Sequence, residues 1–282
     1  MKFDNIIMNP PFHSRSDETH EKTQALWHKF VFKAIDLLKD NGYLLAIHPS
    51  GWRNVAGSFK KTQLLLRSKS MKYLKIHSFK DSKELFNVAI GIDSYMLQNN
   101  DRHGLTNIVF KNGQQEVIDI SELEFIPSEN FDEIMSLVAK EGEEKVEMIN
   151  NSAYHHVHPH MKREPNDAHV YPCVYTVKGP SQNNTPTFWH STFNTKGHFG
   201  VPKVIFACGS SGVMIDKKGE YGMTEFGSAI VDKPENLENI QKALLSEKFV
   251  RNIMGFEQGS PGDKYNRRVI ATFRKDFWKK FV

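Results

Sequence analysis

The first hundred residues predict an α/β sheet, and the remainder predicts a mixed α+β region. Three observations carry that reading. An apolar run at Phe3–Met8 is broken by prolines, apolar residues recur at helical spacing through Thr23–Asp40, and this alternation of strand and helix stops after about Asn100.

Phe3–Met8 ends in Asn9-Pro10-Pro11-Phe12, where the prolines stop the strand and stiffen the turn. A polar stretch, His13–Lys22, follows. Leu26, Phe30, Ala34, Leu37 and Leu38 then mark a helix within Thr23–Asp40, and Asn41-Gly42 supplies its stop. Tyr43–His48 reads as a buried strand closed by Pro49-Ser50-Gly51-Trp52. Ser58–Ser68 reads as a basic helix, and Lys72–Phe79 and Val88–Gln98 as two more strands. Short apolar strands separated by a helix predict a parallel sheet covered on both faces.

Gly104–Ile120 predicts a hairpin turning at Lys111-Asn112-Gly113, and Asn130–Glu144 a helix that is acidic towards its end. The chain is loop-rich from there to about Gly200. Val201–Ile215 and Tyr221–Val231 read as strands around Lys217-Lys218-Gly219, and Asn236–Met254 as a helix. A Gly/Pro/Ser loop at Gln258–Asp263 leads to a basic, aromatic end at Tyr265–Phe281. Three segments result: a sheet domain over 1–105, a connecting hairpin and helix over 106–150, and a second domain over 151–282.

Composition narrows the function classes. The 282 residues carry a net charge of +4, 39% hydrophobic and 25% charged residues, as in a globular protein rather than a disordered one. No window approaches the roughly 18 uninterrupted apolar residues of a membrane span. The first residues lack the ordered leader of a secretory signal. Two cysteines, Cys173 and Cys208, exclude a disulfide scaffold and predict a reducing, cytoplasmic setting.

The chemistry concentrates at Asn9-Pro10-Pro11-Phe12, at the carboxyl end of a predicted strand, where open α/β sheets bind ligands. An aromatic amino group is a poor nucleophile because its lone pair is conjugated into the ring. The Asn9 side-chain oxygen and the Pro10 carbonyl can accept both amino hydrogens and favour a pyramidal nitrogen in a methyl-transfer transition state. Pro11 holds that carbonyl rigidly. Phe12 offers a flat face to a base that has left its duplex.

Phe3-Asp4-Asn5-Ile6-Ile7-Met8-Asn9-Pro10-Pro11-Phe12 resembles the catalytic motif of S-adenosylmethionine-dependent amino methyltransferases, above all the N6-adenine DNA enzymes of restriction–modification systems. Leu37–Ile47 followed by Pro49-Ser50-Gly51-Trp52 resembles the next helix and strand of that fold, and Leu74-Lys75-Ile76-His77 and Val88–Gln98 its last two strands. Gly197–Phe206 is similar to a segment of the target-recognition region. The resemblance implies a partial Rossmann-like class I methyltransferase sheet followed by a mixed α+β target-recognition domain. It implies S-adenosylmethionine as cofactor and double-stranded DNA as partner, with Asn9, Pro10, Pro11 and Phe12 catalytic and Asn9 next to the methyl group. The motif is shared with enzymes that methylate glutamine side chains or a guanine amino group in ribosomal RNA, and Asn9–His13 resembles the latter. The long basic, aromatic extension favours a DNA reader. A DNA-binding relic without catalysis is the other alternative.

That family's fold normally begins with a strand, a Gly-rich turn at the cofactor and an acidic residue for its ribose, and nothing of the kind precedes Phe3. Val204–Gly212 with Asp232 downstream is the candidate elsewhere, as in a circularly permuted enzyme. Val213–Gly227 has no helical period, so a β-hairpin is expected there instead. The cofactor-binding residues stay unassigned, and the cofactor half is expected on a separate polypeptide, or lost.

Arg53, Lys60, Lys61 and Arg67 follow the second strand, near where DNA enters the family fold; a solvated helix face is the alternative. Tyr265, Asn266, Arg267, Arg268, Arg274, Lys275, Lys279 and Lys280 interleave cations, base-edge donors and aromatics, and are read as DNA contacts. His155-His156-Val157-His158-Pro159-His160 has no cysteine or carboxylate at zinc-like spacing, so a solvated loop touching nucleic acid is expected, and no metal. Cys208 is expected to be a small buried hydrophobe, and Trp27 and Trp52 to pack against the sheet.

Overall fold

The structure is a computed structural model of all 282 residues, and it describes residues 1–13, 24–55, 57–101, 104–253 and 265–282. The described residues form two compact units, one built on Met1–Phe131 and one on the residues from Asp132 onward.

In the first unit the chain runs β1 (Phe3–Met8), α1 (Trp27–Leu37), β2 (Leu38–Pro49), α2 (Lys60–Arg67), β3 (Ser70–Ile76), α3 (Phe79–Phe86), β4 (Ile92–Gln98), β5 (Leu105–Val109) and β6 (Gln115–Asp119). One six-stranded sheet holds them in the order β1-β2-β4-β3-β5-β6. Helix α1 forms because Trp27, Val31, Ala34 and Ile35 share one face at helical spacing, and all four are buried. With Leu38, Leu44, Leu66, Leu74 and Leu97 they make the core of the unit. Gly42 lets β2 approach β1, since a Cβ there would stand 2.8 Å from the Asp4 carbonyl oxygen. The hairpin of β5 and β6 turns at Gly113, whose φ of +85° suits glycine.

Two expectations about this sheet are corrected. It is mixed, since only β1–β2 and β3–β5 run parallel and β4 enters between β2 and β3 antiparallel to both. It is also not covered on both faces. Leu44, Ala46 and His48 of β2 are buried while Leu45 between them is 39% exposed, and its parallel neighbour Ile7 is 80% exposed. The period of 2 puts these residues on the face opposite the one that buries Leu44 and Ala46. A short helix, α3, also stands where the sequence reading had none. Ser78 caps it, accepting from the Asp81 backbone N–H while the Asp81 side chain accepts from the Ser78 N–H.

The second unit contains α4 (Phe131–Met135, entering from the first), β7 (Glu147–Ile149), β8 (Met161–Lys162), β9 (Tyr171–Val177), β10 (Pro186–Ser191), β11 (Lys203–Ala207), β12 (Val213–Asp216), β13 (Gly222–Met223), β14 (Gly227–Val231), α5 (Leu237–Leu245), α6 (Glu247–Ile253) and α7 (Arg267–Ile270). Two four-stranded sheets, β13-β9-β10-β8 and β12-β11-β14-β7, meet around Val174, Val177, Ile205, Met223 and Ala229. The segment after Gly212 is strand β12, antiparallel to β11, so no helix follows the glycines. The hairpin is not the expected one: the chain turns between β11 and β12, inside the single strand expected over Val201–Ile215, and β13 pairs β9 instead of β12.

The expected helix over Asn130–Glu144 stops at Met135, because the following backbone pairs with the chain's far end. Arg274 N–H donates to the Leu137 carbonyl at 2.8 Å and Ala139 N–H to the Thr272 carbonyl at 2.9 Å. The expected helix over Asn236–Met254 is two helices parted at Ser246, whose hydroxyl accepts from the Phe249 N–H. The hairpin of β9 and β10 fills a stretch expected to be loop. Gln258–Asp263 lies outside the described residues. Trp27 and Trp52 are buried as expected, whereas Cys208 is exposed and Cys173 is the buried thiol, pushed up to about 12 by burial.

Candidate functional site

Strand β1 lies at the edge of its sheet, paired with β2 through Met8 opposite Ala46. Asn9 and Pro10 come directly after the last paired residue, so the strand's carboxyl end delivers them. Asn9 and Pro11 are exposed, Phe12 is half-buried and Pro10 is buried. The Phe12 carbonyl accepts from the Leu26 N–H at 3.0 Å, and His13 bridges to Ala25, which brings the chain back towards α1. Among the described residues no hydrogen bond engages the Asn9 side chain or the Pro10 carbonyl. Both acceptors are therefore available to a ligand.

Beside Asn9 a cavity of about 360 Å³ opens along the uncovered face of the sheet. Ile7, Leu45, Ile47, Tyr73 and Met96 give it apolar walls, and Asn9 and Ser94 supply polar atoms. On the covered face His48 is fully buried, stacked on Trp27 with ring centroids 4.3 Å apart. Its Nδ1 lies 2.9 Å from the Pro49 carbonyl, which can only accept, so that nitrogen carries the proton. Nε2 then accepts from the Tyr95 hydroxyl at 3.0 Å. Burial lowers the His48 pKa to about 4 and pushes the Tyr95 hydroxyl up. The pair is thus a neutral, rigid support under the ends of β2 and β4. Its members lie too far apart in sequence for spacing to reveal them.

The predicted cations separate into groups. Arg53 is buried: its Nε donates to Asp93 at 2.8 Å and its Nη1 to the Ile126 carbonyl at 2.8 Å. Burial raises the Asp93 pKa while Arg53 opposes the rise. Arg53 therefore has no surface to offer a phosphate, which corrects its assignment to DNA contact. Arg67 is also buried, donating to the carbonyls of Ile120 and Ser121 at 3.0 and 2.6 Å. Lys60 and Lys61 are exposed on α2, with Lys60 Nζ 2.8 Å from Gln63 Oε1.

At the C-terminal end Tyr265 is buried, its hydroxyl donating to the Leu244 carbonyl at 3.1 Å, and Asn266 caps α7. Neither side chain is displayed as a base reader. Arg268 is exposed and Arg267 half-buried, its Nη1 3.5 Å from Ser228 Oγ. Arg274 pairs with Asp276 at 3.3 Å, Lys275 with Glu144 at 3.1 Å and Lys279 with Asp276 at 3.4 Å. Acidic partners thus answer much of the basic end.

The histidine run is a loop whose Val157, His158 and Pro159 are exposed, as expected. His155 and His156 are half-buried, however, and converge on Glu225, a carboxylate distant in sequence but adjacent in the fold. Local spacing carried no sign of it.

Residues 1–86 match the model of the Eco57I restriction-modification methylase family, 86 of the 282 residues. No curated protein sequence matches the chain. Among solved structures, the chain is similar to the type IIL restriction-modification enzyme MmeI in complex with DNA, at 10% identity and a TM-score of 0.47, over 93% of this chain and 46% of that one. It is similar to the methyltransferase subunit of a type I restriction-modification system from Streptococcus thermophilus, at 16% identity and a TM-score of 0.28, over 48% of this chain and 31% of that one. It is also similar to the ATP-dependent type ISP enzyme LlaBIII bound to DNA, at 9% identity and a TM-score of 0.43, over 98% of this chain and 29% of that one. The chain spans less than half the length of each. Among the described residues no helix is long and apolar enough to cross a membrane.

S-adenosylmethionine, the donor a methylase implies, needs a carboxylate for its ribose hydroxyls. Among the described residues no carboxylate lines the cavity beside Asn9. The described lining supplies no partner of that kind for the donor's ribose.

Proposed function

We propose that this chain supplies the target-base side of an N6-adenine DNA methyltransferase of restriction–modification type. A flipped adenine presents its amino group to the Asn9 side-chain oxygen and the Pro10 carbonyl, with Phe12 against the ring. S-adenosylmethionine is held mainly by a cofactor-binding portion outside the described residues, whether a separate chain or not. The 151–282 region reads the DNA, with Lys60, Lys61, Arg267, Arg268 and Arg274 as candidate phosphate contacts. The observation that carries this reading is the pair of unengaged acceptors at the carboxyl end of β1, beside an apolar cavity. Together they can take both hydrogens of an amino group, and the paired prolines hold the Pro10 carbonyl in place. Support also comes from the methylase family match over residues 1–86.

The test is methylation of duplex DNA by the chain combined with its cofactor-binding portion. Asn9→Ala is expected to lower the rate by about 100-fold or more, the scale for losing one fixed donor or acceptor in a transition state. Duplex binding in a mobility-shift assay is expected to persist. An unchanged rate in Asn9→Ala would overturn the assignment. Tight binding of S-adenosylmethionine by this chain alone in calorimetry would overturn the division of labour, and preference for ribosomal RNA over duplex DNA would overturn the substrate.

A further inference from the structure

Three donors from two remote stretches of the second unit meet at one point. His155 and His156 lie between β7 and β8, and Glu225 between β13 and β14. One donor atom from each lies within 4.8 Å of the others. The His156 N–H donates to Glu225 Oε2 at 3.0 Å and its Nδ1 contacts Oε1, which fixes the carboxylate. The His156 ring is wedged between Trp189 and Phe226, with centroids 5.2 and 5.8 Å away, and His155 stacks on it at 5.3 Å.

His155 is the informative member. Its Nδ1 is 3.6 Å from Glu225 Oε2, too far for a hydrogen bond. The Val157 N–H points at that same nitrogen from 3.4 Å, so Nδ1 carries a lone pair and not a proton. His155 Nδ1, which among the described residues accepts only that long contact, thus stands beside a carboxylate oxygen to which it makes no hydrogen bond, and a cation between the two would bind both. Two imidazoles and a carboxylate are the donor set of zinc, with bonds of about 2.0–2.2 Å that place donor atoms about 3.4 Å apart in a tetrahedron. The 3.6 Å separation already approaches that figure. Partial exposure leaves room for a water as fourth ligand.

We propose that His155, His156 and Glu225 bind one divalent transition ion of the zinc class, clipping the histidine loop to the turn between β13 and β14. Two imidazoles and one carboxylate favour zinc-class ions over magnesium, which takes oxygen ligands. The role is structural and separate from the chemistry at Asn9.

The experiment is calorimetric titration of Zn²⁺, with Mg²⁺ as comparison, into the full chain after chelator treatment, alongside thermal melts. One Zn²⁺ per chain, a raised Tm with Zn²⁺ and no heat from Mg²⁺ are expected. Glu225→Gln and His155→Ala are each expected to weaken Zn²⁺ binding by about tenfold or more. His155→Ala removes no hydrogen bond to Glu225, only the long Val157 contact and the stacking on His156, so its metal-free melt should stay close to the wild type's, and a loss of Zn²⁺ binding without a matching fall in that melt separates lost binding from lost folding. Failure of the wild type to bind Zn²⁺ one to one would overturn the proposal. So would wild-type affinity in Glu225→Gln, because an adventitious patch of imidazoles needs no carboxylate.

Discussion

Strands β1 and β11 are both short and apolar, Asn5-Ile6-Ile7-Met8 in one and Lys203-Val204-Ile205-Phe206-Ala207 in the other, and they end in opposite surroundings. Strand β11 has a neighbour on each side, and all five of its residues are buried, Lys203 included. Strand β1 has one neighbour, and Ile7 is left 80% exposed. Burying a side chain of that size is worth about 1.5–3 kcal/mol. In β11 that energy holds the second unit together. In β1 and Leu45 it is unused by the first unit's own fold, and it lies beside the unengaged acceptors of Asn9 and Pro10. Among the described residues nothing covers that apolar surface or pairs with the outer edge of β1.

The largest expected effect tests whether the first unit is nonetheless as firmly built as the second below that surface. Among the described residues each contains a fully buried ion pair, Arg53 with Asp93 at 2.8 Å and Lys203 with Asp216 at 2.6 Å. Removing one partner strands the other charge in the core, at a cost of about 3–5 kcal/mol. Arg53→Met and Lys203→Met should each lower the unfolding free energy by that much, read as a lower urea midpoint. If Arg53→Met left folding intact and weakened DNA binding instead, the guanidinium would be a phosphate contact after all and the comparison would break.

Next in size is a response to pH that both units share. His48 is fully buried, with its pKa lowered by burial to about 4 from an ordinary 6.5. His198 is buried too, lowered to about 4 first by burial and then by Lys203, with its Nε2 donating to Asn151 Oδ1 at 2.8 Å. Between those values the unfolded chain binds protons that the folded chain refuses, so stability is full above about pH 6.5 and falls as pH drops towards 4. The loss for His48 is about 3 kcal/mol once pH reaches 4. Urea titrations at several pH values check it, and His48→Gln should flatten the first unit's share. A first unit indifferent to pH would mean that His48 is reached by water, unlike its counterpart.

How much of this was legible in the sequence depended on how local the cause was. The β5–β6 hairpin was readable because Asn112-Gly113 sets its own turn, and β1 with its proline stop was readable for the same reason. Helix α3 had a signal, Ser78 three residues before Asp81, that an apolar-period reading passes over. The failure at Asn130–Glu144 was different in kind. Val138 and Lys145 bridge to Phe273 and Arg274, and no local pattern announces a partner that far away. The site divides the same way. Asn9–Phe12 is contiguous and stood out, whereas Tyr95 under His48, Asp93 on Arg53 and Glu225 beside the histidines are brought in by folding alone. A cation next to a strand reads as a DNA contact until its buried carboxylate is seen.

The smallest effect bears most directly on the contrast between β1 and β11. Deleting one methylene from a packed isoleucine costs about 0.5–1.5 kcal/mol, because the surrounding side chains close the gap only in part. Ile205→Val should pay that in full, since Ile205 is buried between two sheets. Ile7→Val should cost nothing measurable in the chain alone, for the removed group faces water and valine suits a strand equally well. The two variants have the same chemistry and the same secondary structure, so their difference isolates cover from composition. With the cofactor-binding portion present, Ile7→Val should begin to show a cost in the stability of that assembly. If it costs as much in the isolated chain as Ile205→Val does, the face beside Asn9 is already covered in solution and is not the surface on which a partner or a base comes to rest.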